Sequence, residues 1–513
     1  GVINSLGVRE DADAVALLLT RLSGEDDDVA EAAAAALGRI GGAAAVAGLE
    51  SRLIAEDEDR RNAVAEACVV AGEGLLADGN AAEAAALAAA VREADVSEQR
   101  KAEALRLAIL AGGDEGLALL TESFYEPSRR LFAMAVTTAR SMPVGDEGSR
   151  VDDAVAAGVE GLLGGKGPDA RAVVLLDVLA DRGSASVLPL VLRLASDAPL
   201  PVRIAAIRAI GRLGDASVLE TLLAAVSASD EAIADAARAS LTGLSGDTID
   251  TALVERLRSE DSAVLVAVAE AIAARQIDAG RELVSLVDHP EEPVRIAVVR
   301  SLGSVGDLDH IEVIVARVKT SESTAEADAA RLALLEAAVR MPDRESCAER
   351  LASALSAATE AADADIALLE TLAAVGGTKA LKTVEQAAAS GVRSLEDAST
   401  RLLGTWMTAD AAPVLLKLAK ASDGAFRGRA LRGYLRIARQ FRMPDDERAE
   451  MCRAALAAAA DDAERKMVVE ILPRNPSPAM LEVAREAEKL PGTAEAAKAA
   501  AAAIEEKLAA KAG

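Results

Sequence analysis

Apolar residues between positions 184 and 214 recur three and four residues apart, in two runs separated by a proline-containing turn. This spacing places them on one face of a helix. The first run contributes Val187, Leu190, Val191 and Leu194. The second run follows Pro201 and contributes Val202, Ala205, Ala206, Ala209, Ile210 and Leu213. Because proline is tolerated in the first turn of a helix, the segment predicts two helices joined by a short turn.

The end of this segment carries signals for a helix boundary. Gly214 is placed to adopt a left-handed conformation that closes the second helix. Asp215 is placed to accept backbone N–H groups at the start of the next helix. The chain has no run of alternating β-branched residues, so we predict an all-α protein with no sheet.

The same pattern returns along the chain. The sequence PVRIAAIRAIGRLGD at 201–215 reappears as PVRIAVVRSLGSVGD at 293–307, with two weaker copies starting at 232 and 263. Their equivalent apolar residues are Val202, Ile233, Val264 and Val294, which are 31, 31 and 30 residues apart. A fixed period of this size is typical of stacked helix pairs, and we count about fifteen pairs.

The residues that define this motif resemble those of HEAT repeats. They are Val202, Arg203, Gly211, Gly214, Asp215, Val294, Arg295, Gly303, Gly306 and Asp307. The period near 30 residues is most similar to the short bacterial HEAT-like repeats of phycobilisome-lyase-type proteins. The resemblance implies an α-solenoid with a right-handed superhelix that binds proteins on a concave face built from the second helices. It also implies that Arg203 and Arg295 pair with acids of neighbouring repeats, in a ladder interrupted where the weaker copies have Ala234 and Leu265.

Regularity of the repeats predicts five segments. We expect an N-terminal sub-array at 1–141 that starts within a repeat, an irregular loop or hinge at 142–150, and a regular sub-array at 151–342. Less regular helical repeats are expected at 343–490. An Ala/Glu/Lys-rich helix at 491–513 would cap the array or link it to another segment. Since the chain begins at Gly1, we expect its natural N-terminus to be missing, and the compartment stays open between cytoplasm and periplasm.

Composition narrows the classes of function. The 513 residues include 56 Lys and Arg against 83 Asp and Glu, a net charge of −27, and only 1% are aromatic. The acidic balance disfavours binding to nucleic-acid phosphates. The scarcity of aromatic residues disfavours deep ligand pockets. The longest uncharged stretch has ten residues, too few for a transmembrane helix.

Residues suited to catalysis or metal binding are few. The chain has two histidines, and we expect His289 to be a turn residue and His310 to be a solvated residue in the first turn of a helix. Its three cysteines, Cys68, Cys347 and Cys452, are far apart and are interpreted as small core residues. The acidic runs at 25–28 and 56–59 are interpreted as helix N-termini, because acids are favoured there by the helix dipole. We therefore expect no enzyme activity, metal or cofactor.

One segment stands out as a candidate binding surface. The sequence FRGRALRGYLRIARQFRMP at 426–444 contains six arginines and no acid. On a helix, Arg429, Arg432, Arg436 and Arg439 fall within an arc of about 80°. We call these four residues the arginine stripe. They are predicted to anchor an acidic or phosphorylated segment of a partner. The alternative is a solvated face neutralised by Asp397, Asp461 and Asp462.

These observations predict a protein–protein interaction scaffold or adaptor that uses the concave face of a HEAT-like solenoid. One alternative is a structural arm of a larger multidomain bacterial protein whose glycan-active or c-type cytochrome domain lies outside this chain. A second alternative is chromophore attachment of the phycobilisome-lyase type, which would need an exposed thiol. The sequence leaves the oligomeric state open.

Overall fold

The computed structural model describes residues 2–54, 57–144, 148–244, 246, 248–355, 363–421 and 426–512. Within these ranges the chain forms 31 α-helices and no β-strand, so the predicted all-α class is confirmed. The chain divides into two units, residues 1–252 and 253–513. The five segments expected from repeat regularity stay a prediction, and residues 145–147 of the expected hinge lie outside the described residues.

Fifteen helices lie within the first unit. They are α1 (Val2–Val8), α2 (Val15–Leu22), α3 (Asp27–Ile40), α4 (Ala43–Glu50), α5 (Glu58–Ala77), α6 (Ala81–Glu93), α7 (Glu98–Ala111), α8 (Gly113–Ser123), α9 (Arg129–Ser141), α10 (Ser149–Gly161), α11 (Asp169–Arg182), α12 (Leu188–Asp197), α13 (Leu200–Leu213), α14 (Leu219–Val226) and α15 (Glu231–Gly243). The next helix, α16 (Ile249–Arg256), spans the division between the units.

The second unit contains the other fifteen helices. They are α17 (Ser262–Arg275), α18 (Gly280–Val284), α19 (Glu292–Val305), α20 (Ile311–Thr320), α21 (Thr324–Arg340), α22 (Arg344–Ser353), α23 (Asp363–Val375), α24 (Gly377–Ala387), α25 (Arg393–Gly404), α26 (Ala412–Lys420), α27 (Arg427–Gln440), α28 (Asp445–Ala458), α29 (Asp462–Ile471), α30 (Pro478–Ala487) and α31 (Ala494–Ala512).

The helices of each unit stack in two rows. In the first unit the odd-numbered helices contact one another in order from α1 to α15, and each packs on the even-numbered helix that precedes it. The same arrangement runs from α17 to α31 in the second unit. We call the odd-numbered helices the second helices. Each unit contains seven successive pairs among the described residues, and this agrees with the prediction of about fifteen pairs in an α-solenoid.

The predicted helix pair at 184–214 is confirmed as α12 and α13. Most of the residues expected to face inward are buried: Val187, Val191, Leu194, Val202, Ala206, Ala209 and Ile210. Leu190, Ala205 and Leu213 are half-buried. The carboxylate of Asp215 accepts the backbone N–H of Ser217 at 2.8 Å, as predicted for the start of the next helix.

The predicted left-handed cap at Gly214 is wrong. Gly214 has φ −88° and ψ 161°, an extended conformation open to any residue, and Gly306 is similar at −63° and 151°. Glycine is needed at 214 for space instead. A Cβ atom there would lie 2.4 Å from a methyl carbon of Val218 and 2.8 Å from the carbonyl oxygen of Ile210. The left-handed cap occurs one repeat earlier, where Gly183 closes α11 at φ +72°.

Small residues set the distance between neighbouring second helices. Four glycines lie directly against the backbone of a residue 29 or 30 positions later, in the next repeat: Gly7 on Ala36, Gly38 on Ala67, Gly211 on Ser240 and Gly303 on Ala333. Ser240 also donates its hydroxyl to the carbonyl of Ile207 at 3.0 Å, which joins α15 to α13. Of the motif glycines, Gly211 and Gly303 therefore mark contacts between repeats.

Replacing Gly38 with alanine is expected to lower the free energy of unfolding by about 1–3 kcal/mol, the usual cost of overpacking. The new Cβ would lie 2.7 Å from the carbonyl oxygen and 2.9 Å from the Cα of Ala67, so α3 and α5 must separate. Urea denaturation measures the change. The matched control is Gly74→Ala in the exposed part of α5, where nothing lies within 4 Å, and there we expect a gain of about 0.5–1 kcal/mol. Equal effects of the two substitutions would contradict this account.

Candidate partner-binding site

The arginine stripe lies on α27, as predicted, opposite a buried apolar face. That face consists of Ala430, Leu431, Tyr434, Leu435, Ile437 and Ala438. The phenol of Tyr434 is buried, which raises its pKa to about 12 and confirms it as a core residue. The four arginines separate into two kinds, since Arg429 and Arg436 are half-buried while Arg432 and Arg439 are exposed.

Arg429 joins α27 to the second helix before it, α25. Its guanidinium donates to the carboxylate of Asp397 at 2.8 Å, to the carbonyl of the same residue at 2.9 Å and to the hydroxyl of Thr400 at 3.1 Å. It also lies 5.0 Å from the ring centre of Phe426. The hydrogen bond from Arg429 lowers the pKa of the Asp397 carboxyl group. The chain's own acceptors therefore hold Arg429 in place.

Arg436 caps the carboxyl end of α25. It donates through Nε to the carbonyl of Gly404 at 2.7 Å and through Nη2 to the carbonyl of Trp406 at 2.5 Å. Gly404 is the last residue of α25, so its carbonyl has no donor within that helix, and a positive charge is favourable at this end. Burial, and next the positive charge of Arg439, lower the pKa of Arg436. Arg436 is a structural link between repeats.

Arg432 and Arg439 remain available. Neither guanidinium has a hydrogen bond or ion pair within the described part of the chain. They are seven positions apart, which places them on the same side of α27 and about 10 Å apart along its axis. Two of the acids that could neutralise the arginine stripe have other partners. Asp461 caps the start of α29, and Asp462 pairs with Arg465 at 2.7 Å.

Sequence reasoning missed that arginines close helix ends throughout the chain. Early arginines of second helices donate to carbonyls that precede their own helix. Arg203 donates to Ala195 and Arg427 to Ala419, each in the last turn of the preceding helix, and Arg295 donates to His289 and Pro290 in the turn before α19. Arg340 of α21 donates to Gly303 and Gly306 at the end of α19. The P-V-R motif is the sequence signal for two of these arginines, because it places Arg203 and Arg295 one turn into α13 and α19.

The expected ladder of arginines and acids is present at Arg295. Its guanidinium contacts the carboxylate of Glu326 in the next repeat at 3.1 Å, and Arg317 of α20 binds the same carboxylate. Glu326 is 1% exposed and is shared by the two arginines, whose side chains are 12% and 11% exposed. Arg317 also pairs with Asp288 at 3.0 Å. This buried cluster joins α19, α20 and α21.

A second buried cluster surrounds Arg182 at the end of α11. Its side chain and that of Asp152 in α10 are each 1% exposed, and Nε donates to the Asp152 carboxylate at 2.5 Å. The remaining four N–H groups donate to backbone carbonyls 2.7–3.2 Å away, those of Ala139, Met142, Pro143 and Gly148. All five donors of this guanidinium are therefore used. Arg182 fixes both described ends of the segment predicted as a loop or hinge.

The three thiols are all buried and free, which confirms their interpretation as core residues. Burial raises the pKa of Cys68 to about 12, of Cys347 to about 11 and of Cys452 to about 12. A thiol in this state is a poor nucleophile, since the thiolate is the reactive form. None of the three offers the exposed thiol that covalent attachment of a chromophore would need.

The two histidines serve in local structure. His289 lies in a turn, where its Nδ1 accepts the backbone N–H of Glu291 at 3.2 Å, as the sequence predicts. The expectation that His310 is solvated is wrong, because its side chain is only 17% exposed and its ring packs against Gly280. His310 caps the start of the helical turn before α20, with Nδ1 accepting the backbone N–H of Asp307 at 3.1 Å.

The acidic runs also belong to helix ends, as predicted. Asp26 accepts the backbone N–H of Val29 at the start of α3, and Asp57 accepts that of Arg60 at the start of α5. Glu56 of the second run lies outside the described residues. Among the described residues no three His, Cys, Asp or Glu side chains group closely enough to hold a metal ion. No helix in those ranges has both the length and the apolar character to cross a membrane.

The chain is similar to known proteins in sequence and in structure. A family model for HEAT repeats matches residues 1–68, 159–242 and 251–335. No curated protein sequence matches the chain. The similar solved structures include the karyopherin Kap121p bound to the SUMO protease Ulp1p, with 12% identity, a TM-score of 0.44, and coverage of 93% of this chain and 67% of that one.

Two further solved structures are similar to the chain. Kap121p alone is 12% identical with a TM-score of 0.45, and the match covers 98% of this chain and 65% of Kap121p. Kap95p, in a structure with RanGDP, is 10% identical with a TM-score of 0.37, and the match covers 97% of this chain and 84% of that one. The chain spans about two thirds of the length of Kap121p.

Proposed function

The chain belongs to the HEAT-repeat family, and from that premise we propose that it is a scaffold whose α27 surface binds an acidic or phosphorylated segment of a partner protein. The stacked second helices support this role, because within each unit every repeat adds one more helix face to the row. On this proposal the partner contacts Arg432 and Arg439, and Arg429 and Arg436 hold α27 in position.

The observation that carries the proposal is the contrast within the arginine stripe. Arg429 and Arg436 are satisfied by acceptors in α25 and beyond it, whereas Arg432 and Arg439 are exposed without a partner in the described part of the chain. Free guanidinium groups bind carboxylates and phosphates in a bidentate manner. In a chain of net charge −27, a surface with two unpaired arginines is a local site for anions.

The spacing of the two arginines specifies the partner further. They lie about 10 Å apart along α27. A peptide in the extended polyproline II conformation advances about 3.1 Å per residue with three residues per turn, so acidic residues three positions apart would lie on one side at about this distance. We therefore expect the motif to be two acidic residues, or two phosphoserines, separated by two other residues in an extended segment.

Fluorescence anisotropy of labelled peptides tests the proposal. The probes are extended glycine–serine peptides that carry two glutamates or two phosphoserines, three positions apart. We expect the Arg432→Glu/Arg439→Glu variant to bind them at least about tenfold more weakly than the parent chain, a change of about 1.4 kcal/mol. Binding should also weaken as salt is raised, because the contacts are exposed.

The matched control is Arg129→Glu/Arg130→Glu, which makes the same change of charge at two exposed residues of α9. The control variant should bind the peptides as the parent chain does. An equal loss in both variants would show that only the overall charge matters. Unchanged binding by the α27 variant would overturn the assignment of this surface.

A further inference from the structure

The second helices of the first unit enclose a pocket that neither the motif nor the arginine stripe includes. It lies between α11 and α13 and has a volume of about 450 Å³. Pockets that bind ligands usually fall between about 300 and 1,000 Å³. We call it the α11–α13 pocket.

The floor of the α11–α13 pocket is aliphatic. Leu176, Ala180 and Ala209 form its buried part, and Val173, Val174 and Ala205 are half-buried. Alanine at 205 and 209 leaves the space that a longer side chain would fill. The floor offers no polar side chain, so it suits an aliphatic group.

The rim on one side is a closed ring of four charges. Arg140 contacts Asp177 at 2.6 Å and Asp181 at 3.0 Å. Arg212 contacts the other oxygen of Asp177 at 3.1 Å and also binds Asp181. Two positive and two negative charges cancel, and each carboxylate oxygen already has an arginine donor. This side of the pocket therefore has little left to offer a ligand.

Arg208 lies one turn before Arg212 and lines the same pocket. It is exposed, and within the described residues its guanidinium has no acceptor. With the ring neutral, Arg208 leaves the pocket one positive charge in excess. The pocket thus combines an aliphatic floor with a single free guanidinium at its wall.

We propose that the α11–α13 pocket binds an aliphatic side chain of a partner peptide whose neighbouring residue is an aspartate or glutamate that pairs with Arg208. The proposal rests on the protein-binding function proposed above, but it concerns a separate surface in the other unit. A peptide suits the pocket because it supplies the side chain and the adjacent carboxylate together, in a fixed relation.

Photo-crosslinking tests this proposal in the full chain and does not require tight binding. The probe is a short glycine–serine peptide with one photo-leucine flanked by aspartates, and mass spectrometry maps the cross-linked residues. We expect cross-links on α11 and α13. Replacing the aspartates of the probe with asparagines should reduce the yield at these helices about fivefold or more.

Two variants and one control separate the contribution of the aliphatic pocket from that of the Arg208 guanidinium. Ala205→Trp should fill the pocket and abolish the cross-links, and Arg208→Glu should reduce them about fivefold or more without touching the core. The control is Arg300→Glu, which changes an equally exposed arginine of α19 outside the pocket and should have no effect. Thermal unfolding would confirm that each variant is folded.

The result that overturns the proposal is a yield on α11 and α13 that Arg208→Glu does not change. Competition by octanoate as effective as that of the unlabelled peptide would also overturn it, in favour of a small amphiphilic acid. Binding of the glutamate peptides to α27 is measured in the same preparations. Loss of one activity without the other therefore shows which of the two proposals fails.

Discussion

Replacing Arg182 with methionine is expected to lower the free energy of unfolding of the first unit by about 3–5 kcal/mol, the usual cost of removing one partner of a buried ion pair. The variant would leave the Asp152 carboxylate buried without its partner. It would also remove the donor from four carbonyls at the end of α9 and around residues 143–148. Methionine retains much of the side-chain volume, so packing changes little.

Hydrogen exchange locates this effect, and urea denaturation measures its size. Since each repeat contacts mainly its neighbours, protection should fall in α9, α10 and α11 and persist in α3 and α5. The control is Arg193→Met, which removes a single exposed pair with Glu160 and should cost less than about 1 kcal/mol. The explanation fails if the two variants lose the same stability. Asp152→Leu together with Arg182→Met should recover part of the loss, because no unpaired charge remains.

Replacing Glu326 with alanine is expected to lower the free energy of unfolding of the second unit by about 3 kcal/mol or more. The substitution would leave Arg295 and Arg317 facing each other with no carboxylate between them, although both side chains are nearly buried. Arg317 would keep Asp288, and Arg295 would keep two carbonyls, so each retains part of its bonding. The cost is therefore mainly repulsion between two poorly hydrated positive charges.

Two further variants identify the cause of this loss. Glu326→Gln preserves shape and one acceptor oxygen, so it should be less destabilising than alanine while still lacking the charge. Glu312→Gln, which affects an exposed pair with Arg350, should cost less than about 1 kcal/mol. Hydrogen exchange should show the loss in α19, α20 and α21. A Glu326→Ala variant as stable as the Glu312→Gln control would refute the assigned role of the buried cluster.

The sequence predicted helix pairs and their period well, because both depend on residues close together in the chain. The turn at Pro199 and Pro201 and the cap at Asp215 are of this kind. Gly214 was misjudged for a physical reason. A glycine can be required either by a positive φ or by close packing. Only the structure shows that at Gly214 the reason is the contact with Val218 and not a left-handed cap.

The candidate site was predictable only in part. Helical periodicity placed the four arginines of the stripe on one face, but it could not reveal their acceptors, which lie about thirty residues earlier. His310 was misjudged because its packing depends on Gly280 in another helix. The α11–α13 pocket escaped prediction since it arises from alanines, a residue type that gives no sign of a cavity in a sequence this rich in alanine.

The register of contacts between second helices has a consequence for how such a chain can change in length. Gly38 meets Ala67, and Gly211 meets Ser240, at the same separation of 29 residues. Duplication or deletion of one whole repeat in the gene would bring an equivalent pair of surfaces together and preserve the packing. Insertion of a single residue within α3 or α13 would instead rotate the following residues by about 100° and turn the small residue away from its neighbour. The chain can therefore change in length by whole repeats, while α3 and α13 cannot gain or lose an interior residue without losing these contacts.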